Sequence, residues 1–198
     1  MSAAANHLPV PGGPLLRTAV IQAAGGSLKN AGLANIVAGV VWMSATFLFA
    51  GMCSALLDAS LSITLLGLGS ILFAVMLGAA RPLPGGRNKV IHLLLISLIS
   101  AGAYALSIYM ALNAFGASWS FPQAAVIAAA GVIGAASSIT PSGLGIREAV
   151  AAGLATLIGA DPAAAFAATA TVHVAMAGFT GFVALYFFIR DHTKVVAA

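Results

Sequence analysis

Two adjacent charged residues, Arg147 and Glu148, are the strongest candidates for chemistry because long apolar stretches flank them on both sides. If those stretches lie in a membrane, the charges are costly and are expected to face a bundle interior or a cavity. Gly143 and Gly145 precede the pair, so the backbone can turn there and approach a ligand closely. A guanidinium beside the unpaired N–H groups of a helix N-terminus suits a phosphate or carboxylate. The pattern predicts an anion site, with a lipid phosphate as the favoured ligand.

The same two charges have a structural alternative. They could form an internal ion pair that pins the segment in place, or Arg147 could extend to the headgroup region. Glu148 would stabilise the helix dipole in either case, and it could pair with Arg147 or with another basic group. The sequence leaves both interpretations open.

Four further residues could contribute to the same site. Thr140 and Ser142 could line it, although hydroxyls also bond to the helix backbone. His173 lies inside the last long apolar stretch, where it could contact an anion or simply hydrogen-bond to a neighbouring helix. Arg17 could be the counterpart of Arg147 on the cytoplasmic side, or it could be only a topology charge. Tyr104 and the other aromatics of the apolar stretches are interpreted as packing or interface residues.

The composition is that of a membrane protein. Of 198 residues, 12 are Asp, Glu, Lys or Arg, which is 6%, and 61% are hydrophobic. A soluble domain has about 25% charged residues. The mean hydropathy of +1.07 excludes an ordinary soluble enzyme, a nucleic-acid-binding protein and a disordered chain. No nucleophile–base set, phosphate loop or metal motif is found, so we expect no enzymatic activity, no cofactor and no metal.

Apolar runs predict the fold. A helix needs roughly 20 apolar residues to cross a bilayer core of about 30 Å. Four runs qualify, at residues 35–57, 61–80, 90–114 and 162–189. Residues 122–158 differ, because one marginal and one short apolar segment flank a polar break whose proline and glycines stop a helix. They predict a re-entrant hairpin, since irregular backbone at that depth must be surrounded by protein or a wet cavity.

The predicted fold class is therefore an all-α polytopic membrane protein with about four full transmembrane helices plus a re-entrant helical hairpin. Residues 1–32 form an N-terminal segment with a candidate half-hairpin, and residues 33–198 form the transmembrane domain. Basic residues flank the predicted cytoplasmic ends of the spans, and acidic residues lie in the opposite loops: Arg17, Lys29, Arg81, Arg87, Lys89, Arg190 and Lys194 against Asp58 and Asp161. This distribution predicts a multi-pass inner (cytoplasmic) membrane protein with both termini in the cytoplasm and the hairpin entering from outside.

Two segments of the chain resemble each other. Residues 11–20 (PGGPLLRTAV) and residues 141–150 (PSGLGIREAV) match at a proline, a glycine, an arginine, an alanine and a valine. Three predicted spans separate them, and an odd number of spans inverts the second unit relative to the first. They form a candidate inverted repeat, a plan that recurs in transporters with broken helices.

At residues 140–149 the chain resembles the membrane region of lysylphosphatidylglycerol synthases and related flippase-like integral membrane proteins. The family has a Pro-x-Gly-x-Gly-[Val/Ile]-x-Glu type motif, which Pro141, Gly143, Gly145, Ile146, Arg147 and Glu148 match. The resemblance is most specific over residues 120–190. It implies a polytopic inner-membrane protein that binds or moves a lipid or lipid-linked substrate. Some members bear a soluble aminoacyltransferase domain, which this sequence does not contain, so lipid aminoacylation is not implied.

The favoured hypothesis is a flippase-like membrane protein that binds or translocates an anionic lipid or lipid-linked substrate. Its expected partners are membrane lipids and no nucleic acid. Family members usually hold further spans before the first motif, so a partner membrane subunit, self-association or a truncated gene start is expected to account for the shorter chain. The alternative is a small accessory subunit of a larger membrane complex.

Overall fold

The protein is a bundle of helices. The computed structural model describes residues 18–19, 21–23, 25, 27–81, 86–116, 118–137 and 143–196. In these ranges six helices of 12 residues or more follow one another, and no strand occurs. They are α1 (Leu28–Ser54), α2 (Ala59–Ala79), α3 (Gly86–Ala114), α4 (Phe121–Ser137), α5 (Ile146–Leu157) and α6 (Pro162–Val196).

Four helices are long and apolar enough to cross a membrane. They are α1, α2, α3 and the first 22 residues of α6, Pro162–Val183. The predicted all-α polytopic fold class is therefore confirmed. α1 begins seven residues before the predicted span, because Ser27 caps the helix by accepting a hydrogen bond from the backbone N–H of Asn30. Polar residues in that first turn hid the start of the helix from a search for apolar runs.

Helices α1 and α2 pack closely through small residues. A Cβ built on Gly51 would lie 2.8 Å from Cγ of Leu66, and one on Gly69 would lie 2.8 Å from Cγ of Leu48. The hydroxyl of Ser44 donates to the Gly69 carbonyl across this interface, over 2.7 Å. Small residues at such a contact let two backbones approach, which is how helices associate when lipid surrounds them.

Helix α4 lies in the centre of the bundle. All nine residues from 124 to 132 are buried, and α4 contacts α1, α3 and α5. A helix that is apolar on all sides is expected to be buried on all sides. Its 17 residues make a rod of about 25 Å, which is shorter than a typical span.

Helix α5 packs on α4 and on α6. With 12 residues it is about 18 Å long and too short to cross a bilayer. The connection to α6 is tight: Gly159 has a φ of +67°, and a carboxylate oxygen of Asp161 accepts from the backbone N–H of Ala163. Helices that pack together across so short a connection run antiparallel, so the start of α5 lies beside the middle of α6. The predicted half-hairpin before α1 falls mainly outside the described residues.

Candidate functional site

The chain between α4 and α5 turns back on α4 at two glycines. Gly143 and Gly145 have φ angles of +74° and +84°, which glycine adopts without strain. A Cβ on Gly143 would lie 2.5 Å from the carbonyl carbon of Gly134, near the end of α4. A side chain at residue 143 would therefore clash with backbone, so both the dihedral angle and the contact require glycine.

The carboxylate of Glu148 caps the N-terminus of α5. The backbone N–H of Gly145 donates to Oε2 of Glu148, with an N···O distance of 2.6 Å. Gly145 is the residue that precedes the helix and Glu148 is the third residue within it, which is the spacing of a capping box. The anionic group at this helix N-terminus is therefore a side chain of the protein itself.

The other carboxylate oxygen of Glu148 pairs with a histidine from α6. Nδ1 of His173 lies 3.2 Å from Oε1 of Glu148. The two residues are 4% and 2% exposed, so the pair is isolated from bulk solvent. Burial of a carboxylate is favourable only when its oxygens are bonded, and here one bond comes from the α5 N-terminus and one from α6. The pair ties these two helices together.

This pair lies near the middle of a candidate span. His173 is 11 residues after Pro162, the start of the Pro162–Val183 segment. At a rise of 1.5 Å per residue this is about 17 Å along the helix. A bilayer core is about 30 Å thick, so an upright α6 places the Glu148–His173 pair close to mid-depth.

Arg147, the second residue of α5, contacts α4. A Cβ on Gly134 would lie 2.7 Å from Cβ of Arg147 and 2.9 Å from its Cα, so the two helices touch at this point. Arg147 is partly buried and its Nε atom is fully buried. Tyr104 of α3 lies close enough to interact electrostatically with the guanidinium. Its ring packs on Gly131, where an added Cβ would lie 2.9 Å from Cε1 of Tyr104.

The structure brings most of the predicted site residues together. Gly143, Gly145, Arg147, Glu148 and His173 share one region where α4, α5 and α6 meet. Thr140, Ser142 and Arg17 lie outside the described residues, as do residues 11–17 and 20 of the first half of the candidate repeat. No sequence pattern singled out Tyr104, because a tyrosine in an apolar run is usually a packing or interface residue. Only the packing of α3 against α4 shows that its hydroxyl lies beside Arg147.

A known protein family matches the part of the chain that contains the candidate site. The family model described as the lysylphosphatidylglycerol synthase TM region matches residues 85–184, which is half of the chain. The match extends from the start of α3 into α6 and includes every described residue of the candidate site. No curated protein and no solved structure matches the chain. The protein is a multi-pass membrane protein and belongs to the family of the lysylphosphatidylglycerol synthase transmembrane region.

Proposed function

We propose that this protein binds the anionic headgroup of a lipid or lipid-linked substrate and moves it across the membrane, without a covalent step. The observation that carries the proposal is the position of Arg147, a guanidinium held among apolar helices at the interruption between α4 and α5. Ionisable residues at such positions commonly mark the path of a substrate or ion. Membership of a family named for a lipid synthase supports a lipid as the ligand.

The local geometry favours Arg147 and Tyr104 as the groups that meet the headgroup. Glu148 already accepts the N–H of Gly145, so the α5 N-terminus is engaged by an internal carboxylate. Arg147 leaves the same helix turn toward α3 and α4, where the hydroxyl of Tyr104 lies beside it. A planar guanidinium can bind two phosphate oxygens at once, and an adjacent hydroxyl can donate to a third.

In the proposed topology the site lies at the inner tip of a hairpin that enters from the outer side. We propose that α4 and α5 form a re-entrant hairpin that enters from outside, because each is shorter than a typical span and Arg147 lies where they meet. Arg81, Arg87 and Lys89 are exposed where α2 ends and α3 begins. By the positive-inside rule that end is cytoplasmic, which puts both termini in the cytoplasm and the protein in the inner membrane.

The proposed movement uses two inverted units. In this scheme the segment that contains Arg17 is the cytoplasmic counterpart of the segment that contains Arg147. A headgroup would pass from one to the other as the units are exposed alternately to the two sides. Their shared proline, glycine and arginine spacing supports the scheme.

The proposal is tested by lipid movement in proteoliposomes. Purified protein is reconstituted into phosphatidylcholine vesicles that contain fluorescently labelled phosphatidylglycerol, and the label that becomes accessible to a quencher is measured. Arg147→Ala should abolish the protein-dependent movement, and Arg147→Lys should retain only part of it because a lysine lacks the planar fork. Arg87→Ala, which removes an exposed arginine of α3, is the matched control and should move lipid like the unchanged protein. Equal movement by Arg147→Ala and Arg87→Ala contradicts the proposal.

An accessory role in a larger membrane complex is the second candidate function. Helix α2 packs chiefly on α1 and presents Ile63, Ile71 and Val75 outward, so a partner helix could cover this side. Purification in mild detergent separates the two functions. A stoichiometric larger partner, together with no lipid movement by the isolated chain, supports the accessory role. Lipid movement by the chain alone rejects it.

A further inference from the structure

Thr169 is fully buried in α6, yet its hydroxyl has no hydrogen-bond partner among the residues that the structure describes. Five other threonines in the helices donate to the carbonyl four residues earlier: Thr46, Thr64, Thr156, Thr171 and Thr180. Thr169 does not make this bond. Buried hydroxyls in native proteins are nearly always bonded to protein, ordered water or ligand. The hydroxyl of Thr169 therefore indicates a small polar occupant beside α6.

Thr169 lies one helical turn before His173, so the two side chains share a face of α6. Since Glu148 reaches His173 from α5, a hydroxyl, an imidazole and a carboxylate follow one another near the middle of the candidate span Pro162–Val183. The buried neighbours on α6 are apolar: Ala165, Ala168 and Val172. Chains of Glu and His side chains within spans are typical of proton relays.

We propose that the Glu148–His173 pair, with a water held by Thr169, is a proton-binding site, and that lipid movement is coupled to the proton bound there. The coupling rests on the proposed function above, whereas the proton site rests on the buried row of polar side chains. Imidazole is the side chain that ordinarily changes its charge between about pH 5 and 8. The proton would enter from water on one side of the membrane and leave to water on the other.

The charges around the site explain why a proton and a headgroup would bind together. The ionisable side chains near Glu148 are His173 on α6, Arg147 on α5 itself and Tyr104 on α3, while the described residues of α4 include none. With His173 neutral, Arg147 and Glu148 cancel, so a lipid phosphodiester would bring an uncompensated negative charge to mid-depth. When His173 binds a proton, the phosphodiester makes the site neutral, which low-dielectric surroundings favour. One proton is therefore expected to bind with each phosphodiester.

The experiment measures lipid movement and proton movement in the same vesicles. Labelled phosphatidylglycerol is the probe, because its phosphodiester does not titrate in the range used, and a pH-sensitive dye is enclosed in the lumen. The unchanged protein should move lipid faster as the vesicles are made more acidic between about pH 8 and 6, because a proton bound at the Glu148–His173 pair compensates the charge of the phosphodiester. His173→Gln keeps a donor for Glu148 but cannot titrate in this range, so its lipid movement should not vary with pH.

A matched pair of threonine variants tests the buried hydroxyl. Thr169→Val should slow the proton signal, because it removes the group that holds the water. Thr171→Val should leave the signal unchanged, since Thr171 is exposed and bonds to the carbonyl of Ala167. Equal proton signals from the two variants would overturn the part assigned to Thr169.

The outcomes separate the proton site from the lipid function. Lipid movement that requires Arg147 but does not vary with pH overturns the proton coupling and leaves the lipid function standing. If the unchanged protein moves no lipid, the proposed function fails, and the proton site is tested alone by pH-difference infrared spectra of the reconstituted protein. Spectra of the unchanged protein should contain an imidazole band that is absent from His173→Gln and a carboxylate band that is absent from Glu148→Gln. Identical spectra overturn the site, and having two variants keeps the test valid if one does not fold.

Discussion

Gly134 of α4 packs directly against Arg147 of α5: a Cβ built on Gly134 would lie 2.7 Å from the Cβ of Arg147. Gly143 also packs against Gly134, since a Cβ added to Gly143 would lie 2.5 Å from the carbonyl carbon of Gly134. The end of α4, the break and the start of α5 therefore meet at one small residue. This contact fixes the position of Cα and Cβ of Arg147 and therefore the direction in which its side chain leaves α5.

Replacing Gly134 by alanine should displace Arg147 and weaken the α4–α5 contact. An extra methyl group in a tight contact typically destabilises a protein by about 1–3 kcal/mol, and lipid movement should fall together with stability. Gly153→Ala is the control, because Gly153 is exposed on α5 and nothing lies within 4 Å of an added Cβ. Denaturation of the purified protein in a detergent gradient measures both variants. Equal stability of the two variants would show that Gly134 and Arg147 are not in close contact.

Removing the carboxylate of Glu148 should destabilise the bundle strongly. Glu148→Ala would leave the N–H of Gly145 and Nδ1 of His173 without their acceptor, and each buried donor left unsatisfied typically costs about 1–3 kcal/mol. Asp161→Ala removes an exposed carboxylate that caps α6 and should cost less. Thermal unfolding of both variants checks the difference. If Asp161→Ala proves the more damaging change, Glu148 does not tie α5 to α6.

The contact between α1 and α2 should be sensitive to one added carbon at each of two positions. Gly51→Ala would meet Cγ of Leu66, and Gly69→Ala would meet Cγ and the backbone of Leu48. Each should lower the free energy of unfolding by about 1–3 kcal/mol. Gly67→Ala, at an exposed position of α2 with no neighbour within 4 Å, should have little effect. Similar values for all three variants would contradict the close packing of these helices.

Acid should weaken the start of α2 through a single carboxylate. The hydroxyl of Ser60 and the backbone N–H of Leu61 bond to the side chain of Asp58 and hold its pKa below the ordinary value. Since the folded state favours the charged form, its stabilising effect is full above the ordinary pKa of about 3.9 and is lost as the pH falls through the lower folded-state pKa. Asp58→Asn keeps a good cap and does not titrate. Melting curves at falling pH should therefore decline more steeply for the unchanged protein than for Asp58→Asn, and parallel curves would contradict this assignment.

The fold was predictable because its signals are local. Apolar runs long enough to span a membrane predicted α1, α2, α3 and α6, and Pro141 with its neighbouring glycines predicted the break after α4. The helix ends were harder to predict, because a helix can continue past the hydrocarbon core into polar residues, as α1 does from Leu28. Hydrogen bonding at Ser27 defines that end, and hydropathy alone does not detect it.

The candidate site was predictable only where a residue type is unusual for its surroundings. Arg147 and Glu148 stood out as charges between apolar segments. His173 also stood out, as a lone histidine in an apolar span. Its pairing with Glu148 did not, because the two residues are 25 positions apart and meet only when α6 packs on α5. Tyr104 and Thr169 are ordinary residues in apolar helices, and only their buried hydroxyl groups identify them. Spacing along a sequence carries no information about such contacts between helices.

Headgroup binding at Arg147 is tested most directly by native mass spectrometry of the protein after its release from mixed-lipid nanodiscs. The measured quantity is the amount of anionic lipid that stays bound to the protein. We predict that the unchanged protein and Arg87→Ala retain phosphatidylglycerol in preference to phosphatidylcholine, and that Arg147→Ala loses this preference. Retention of the same preference by Arg147→Ala would show that no headgroup binds at this guanidinium.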